Sequence, residues 1–98
     1  MEWDGFDWDD GNWPKCGKHG VSRRVIEALF DRDTTKVLRD AGHSSADETR
    51  YLAVGLDIGG HAGLFVGFTL RQRDGRNLVR PLTARYMHNK EAMKYGRF

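Results

Sequence analysis

A chain of 98 residues with 39% hydrophobic and 31% charged residues describes one globular domain with a single modest core. No apolar run approaches the roughly 18 residues of a membrane span, and the single cysteine, Cys16, makes no internal disulfide, so a reducing cytoplasm is the expected setting. The net charge of +2 is unevenly spread: residues 1–57 carry 8 Lys/Arg against 12 Asp/Glu, and residues 58–98 carry 8 against 2. Either the basic half meets a polyanion or acidic partner, or the two halves neutralise each other in the fold. The acidic, Trp-rich start is the opposite of a signal peptide.

In chain order, residues 1–10 alternate Phe6 and Trp8 with Asp7 and Asp9, the pattern of a short strand with one apolar face. Its acids suit a protected sheet edge; an acidic flap over the basic half is the second reading. After the turn at Asp10-Gly11, Asn12 is placed to cap a short helix with Pro14 in its first turn and Gly20 at its stop. Lys18 and His19 then fall in the last turn, where positive charge suits the helix dipole. Ser22 caps a second helix to about Phe30, with Val25, Ile26, Leu29 and Phe30 as its buried stripe.

Residues 34–39 read as a short strand, and 40–47 as a polar turn holding His43. Three strands follow: Arg50–Leu56, Leu64–Leu70 and Leu78–Ala84. Gly59-Gly60 and Asp74-Gly75 are the hairpin turns between them. The second strand is apolar on nearly every residue, as in a strand covered on both faces, and Phe65, Gly67, Thr69 and Arg71 share one face. Pro81 cannot donate to a ladder, so the third strand is an edge or carries a bulge. Arg85 stands at a join, and a C-terminal helix runs from Tyr86 to about Gly96, with Met87, Glu91 and Tyr95 on one face. Glu91, partly buried there, needs a partner, for which Arg85 or Arg50 would serve. The expected fold is α+β: a small antiparallel sheet with two N-terminal helices and one C-terminal helix packed on it.

Several motifs in this order resemble one family. They are Asp7-Trp8-Asp9; NWPKCGKHGVS from Asn12; Val25-Ile26-Glu27 with Phe30; His43-Ser44 with Glu48 and Arg50; LFVGFTLR; and RPLTARYM with Glu91 and Tyr95. Together they are similar to the BrnT family of bacterial toxins, over nearly the whole chain. The resemblance implies a fold like that of RelE and ribonuclease activity within a type II toxin–antitoxin pair. It also implies a DNA-binding BrnA-like antitoxin as partner, with operator DNA reached only through the complex.

RNA carries its own nucleophile, the 2′-hydroxyl. A metal-independent ribonuclease therefore needs a proton acceptor, positive charge on the phosphorane-like transition state, and an acid for the leaving oxygen. His19, His43 and Glu48 are the candidate bases. Arg71 and Arg85 are the candidates for phosphate stabilisation, because a guanidinium fork fits phosphate oxygens. The expected catalytic set is Lys18, His19, Arg71 and Arg85. Arg73, Arg76, Arg80 and Lys90 are the expected RNA-backbone contacts, and His43, Glu48, Arg50 and Glu91 the supporting residues. A metal site built on Cys16 and His19 with His43, His61 or His88 has no second cysteine and no recognised ligand spacing, so no metal and no cofactor are expected. A non-catalytic module whose basic half docks an antitoxin or nucleic acid is the alternative function.

Overall fold

The computed structural model describes residues 3–57, 62–88 and 90. Among the described residues five strands form one sheet: β1 (Gly5–Phe6), β2 (Lys36–Arg39), β3 (Arg50–Leu56), β4 (Gly63–Arg73) and β5 (Arg76–Tyr86). Their spatial order is β1-β5-β4-β3-β2. Among the elements of the described residues, helix α1 (Arg23–Leu29) crosses one face, and 3₁₀ turns occupy Lys15–Gly17 and Ala41–His43. Among the described residues no helix is long and apolar enough to cross a membrane.

Helix α1 forms where its sequence signals lie. Ser22 is the N-cap and its Oγ accepts the Val25 N–H at 3.2 Å, while the Thr35 hydroxyl donates to the Leu29 carbonyl at 2.6 Å beyond the last turn. Both contacts satisfy backbone groups that a helix end leaves unpaired. Ile26 and Leu29 face the sheet and are buried with Val66, Phe68 and Val79. Phe30 is the hub of an aromatic cluster, edge-to-face with Trp3, Phe6 and Phe68 at 5.0–5.5 Å. Gly55 of β3 has no side chain because a Cβ there would come within 2.9 Å of Leu29 and Thr35.

The expected architecture of three helices on an antiparallel sheet is corrected in three places. First, residues 12–20 make only one 3₁₀ turn. Asn12 does not cap a helix; its buried amide nitrogen donates to the Asp7 and Pro81 carbonyls, both at 2.9 Å, and its oxygen accepts the Asp9 N–H at 2.8 Å. It thereby fastens the end of β1 to β5. Second, the sheet is mixed, because β1 runs parallel to β5. The N-terminal strand sits on the far edge, and the chain passes over the sheet face through α1 before β2 starts the opposite edge. Third, β5 continues through Tyr86, which pairs with Leu64, and the Met87 N–H still donates to the Gly63 carbonyl at 2.9 Å. Arg85 is thus inside a strand. Glu91 and Tyr95 of the expected C-terminal helix, the Gly59-Gly60 turn and His61 lie outside the described residues.

The strand expectations fare better. Asp74 and Gly75 take φ of 53° and 76° and join Arg73 to Arg76 in a two-residue hairpin, the conformation this pair of residues favours. Pro81 marks a bulge: Gly67 pairs with Thr83 and Phe68 with Pro81, so Leu82 is an extra residue. Strand side chains alternate between faces, so one extra residue reverses the alternation beyond it. Arg80 and Leu78 share a face with Thr69 and Arg71; past the bulge, Thr83 and Arg85 join that same face opposite Gly67 and Phe65.

Candidate functional site

The face of the sheet opposite α1 carries arginines from three strands: Arg50 on β3, Arg71 and Arg73 on β4, Arg80 and Arg85 on β5. Arg73 and Arg80 pair with N-terminal carboxylates, Arg50 and Arg85 line a cleft, and Arg71 belongs to neither group.

The first group is neutralised. Arg80, with its side chain only 12% exposed, donates to Asp7 at 3.2 Å and to both oxygens of Asp9 at 2.9–3.0 Å. Arg73 reaches Asp7 at 3.4 Å, and Arg76 donates to the Asp4 carbonyl at 3.0 Å. The hydrogen bond from Arg80, then that from the Gly11 N–H, holds the Asp9 carboxyl below its usual range, and Asp9 in return raises Arg80. The acidic N-terminal segment is thus both an edge strand and a counter-charge for part of the basic half. Of the expected RNA contacts, Arg80 is enclosed by carboxylates and Arg73 and Arg76 are tethered to the N-terminal segment, while Lys90 is exposed.

The second group lines a cleft of about 290 Å³ walled by Asp40, His43, Arg50, Phe65, Thr83 and Arg85. Gly67 forms its floor, where a Cβ would stand 2.8 Å from the Thr83 methyl. The Arg85 guanidinium carbon lies 4.6 Å from the centre of the Phe65 ring, a cation–π contact that fixes the fork over a rigid base. His43 Nδ1 is 2.8 Å from Asp40 Oδ2. With Nδ1 donating its proton to that carboxylate, Nε2 is left as the acceptor. Ser44 locks this turn to β3: its hydroxyl donates to the Asp40 carbonyl at 2.7 Å and accepts the Arg50 N–H at 2.9 Å. The 3₁₀ turn therefore delivers the histidine and β3 the arginine as one unit.

Glu48 bridges Arg50 and Arg71, at 3.2 and 3.1 Å. Burial alone would raise its carboxyl, but the hydrogen bonds from the two arginines outweigh that and hold it low. Arg71 and Arg85 do not converge: Arg71 and Phe65, the partner of Arg85, are six residues apart on β4, or about 20 Å. Lys18 and His19 are exposed beside Gly20, while Cys16 and Val21 on either side are buried in the core under α1. Among the described residues no hydrogen bond or ion pair ties the Lys18 or His19 side chain to the cleft. Burial pushes the Cys16 thiol up to about 11, which makes it an unreactive core residue. Among the described residues no three His, Cys, Asp or Glu side chains gather as metal ligands would.

Sequence reasoning missed Asp40, Phe65 and Thr83. Asp40 stood three residues before His43 in a turn, a spacing that could have flagged the pair. Phe65 and Thr83 meet Arg85 and Gly67 only through the register of the bulged strand.

Fold and cleft together define a small sheet domain with arginines from three strands on its face opposite α1. The model of the family described as the ribonuclease toxin BrnT of type II toxin–antitoxin systems matches residues 8–91, and the chain belongs to that family. Its counterpart is accordingly an antitoxin. No curated protein matches the chain.

Proposed function

We propose that the chain is a metal-independent endoribonuclease whose reaction takes place in the open-face cleft. The observation that carries this reading is the convergence of Arg50, Arg85 and the Asp40-paired His43 on one space in a member of a ribonuclease toxin family. Arg50 and Arg85 flank the scissile phosphate and stabilise the charge that develops on its oxygens. His43 Nε2 accepts the 2′-hydroxyl proton, and Asp40 stabilises the imidazolium that results. The 2′-oxygen then attacks the adjacent phosphorus and displaces the 5′-oxygen, which takes a proton from water and leaves as a 5′-hydroxyl, with a 2′,3′-cyclic phosphate on the other product. Arg71 serves RNA beyond the cleft rather than the reacting phosphate. Lys18 and His19 follow the 3₁₀ turn packed against β5, and we assign them contacts with RNA leaving the cleft rather than proton transfer.

The cognate partner in this reading is a small DNA-binding antitoxin of the BrnA kind, and the family's place in type II toxin–antitoxin systems supports it. Incubating purified protein with a long RNA in EDTA, beside Arg85→Ala and His43→Ala, tests the enzymatic part. The expected result is cleavage by the wild type alone. Cleavage that needs added metal, or that both variants retain, would overturn it.

A further inference from the structure

Glu48 joins two arginines that would otherwise be separate exposed cations. Its Oε1 accepts Arg50 Nε and its Oε2 accepts an Arg71 terminal nitrogen. The carboxylate side chain is 24% exposed, whereas Arg50 and Arg71 are 43% and 40% exposed. Because Glu48 takes the Nε of Arg50, both terminal nitrogens of that fork remain unclaimed by any described residue, and Arg50 lines the cleft. Arg71 lines a second depression of about 220 Å³, with Asp47, Thr49 and Thr69 around it. Arg50 pairs across the sheet with Thr69, and Arg71 is two residues further along β4, about 7 Å away.

Resting on the ribonuclease reading above, we propose that Glu48 is a positioning residue that fixes two adjoining phosphate positions for one RNA strand. Arg50 meets the phosphate to be cleaved and Arg71 a neighbouring one. The carboxylate sets the spacing between them, so an RNA strand laid along β4 finds both forks already placed. A preorganised fork loses less freedom on binding than a loose side chain does.

The sign of one substitution separates this from a merely ornamental ion pair. Removing a carboxylate from a face that binds a polyanion should tighten binding by charge alone. If Glu48 positions both arginines, Glu48→Gln instead weakens it. The probe is a single-stranded RNA oligonucleotide methylated at every 2′-oxygen, which has no free nucleophile, titrated against the full chain over a range of salt. Glu48→Gln is expected to bind about two- to fivefold more weakly, the range of an exposed ion pair. Arg71→Ala is expected to lower the slope of log affinity against log salt by about 0.7, one single-strand phosphate. Glu48→Asp keeps the charge but is one methylene short of spanning both forks, and it weakens binding too. Melting temperatures of all three identify any variant that has lost its fold. Equal or tighter binding by Glu48→Gln, or an unchanged salt slope in Arg71→Ala, would overturn the proposal. Cleavage of unmodified RNA by the wild type reports on the ribonuclease reading separately.

Discussion

Arg85 lies over Phe65, 4.6 Å from the ring centre, because Leu82 is one residue too many for the pairing of β5 with β4. Without that bulge the alternation from Leu78 and Arg80 would put position 85 on the α1 side, among the apolar core. A proline that cannot donate to the ladder, an extra leucine and an arginine are thus one device for aiming a charge. The stack also explains why charge alone is an incomplete substitute. Arg85→Lys keeps the cation but loses the planar fork, and cleavage is expected to fall by at least tenfold, with Arg85→Ala losing about 10²–10³-fold. Both should melt close to the wild type, since an exposed cation–π contact is worth about 0.5–1 kcal/mol.

The Asp40–His43 pair should behave as orienter and base. His43→Ala is expected to lower the cleavage rate about 10²-fold or more. Asp40→Asn, nearly isosteric, should slow cleavage about tenfold, because the ring loses the carboxylate that orients it at 2.8 Å. An Asp40→Asn cleavage rate equal to that of the wild type would remove Asp40 from the mechanism.

Asn12 is the structural residue most sensitive to change. Its amide satisfies three backbone groups, and the residue is 1% exposed. Asn12→Ala leaves the Asp7 and Pro81 carbonyls without that donor, and a loss of about 2–3 kcal/mol is expected from denaturant unfolding. Asn12→Asp supplies an acceptor where both carbonyls need a donor and should be no better.

Asp9 and Glu48 both ionise more readily in the folded chain than in a free peptide. Their folded carboxyls therefore bind protons more weakly than the unfolded ones. The stability they contribute is fully present above the unfolded pKa values and is lost as pH falls through the lower folded ones. The melting temperature should hold from pH 7 to about pH 5 and fall below about pH 4. Rising stability between pH 5 and pH 3 would contradict this.

Much of the fold was legible because local chemistry decided it. Ser22 capped its helix, Asp74-Gly75 turned its hairpin, Arg50–Leu56 began and ended where its alternation did, and Pro81 announced an edge or a bulge. What failed depended on partners distant in sequence. Asn12 looks like a helix cap until Pro81 is beside it, 69 residues away. The parallel pairing of β1 has no local signature, since Gly5 and Phe6 carry the same alternation in either direction. Tyr86 suits a helix or a strand, and its pairing with Leu64 settles it as strand. At the site, the sequence offered the residue types, and the family resemblance agreed with them, but only register shows that Arg50, not Arg71, shares a cleft with Arg85.

The most direct measurement compares two RNAs of one sequence, unmodified and methylated at every 2′-oxygen, incubated in EDTA with the wild type and with Arg85→Ala. Cleavage of the unmodified RNA alone, by the wild type alone, with cyclic phosphate ends on the products, is the predicted result. Cutting of the methylated strand, or equal cutting by Arg85→Ala, would contradict a cleft in which Arg85 stabilises attack by the RNA's own hydroxyl.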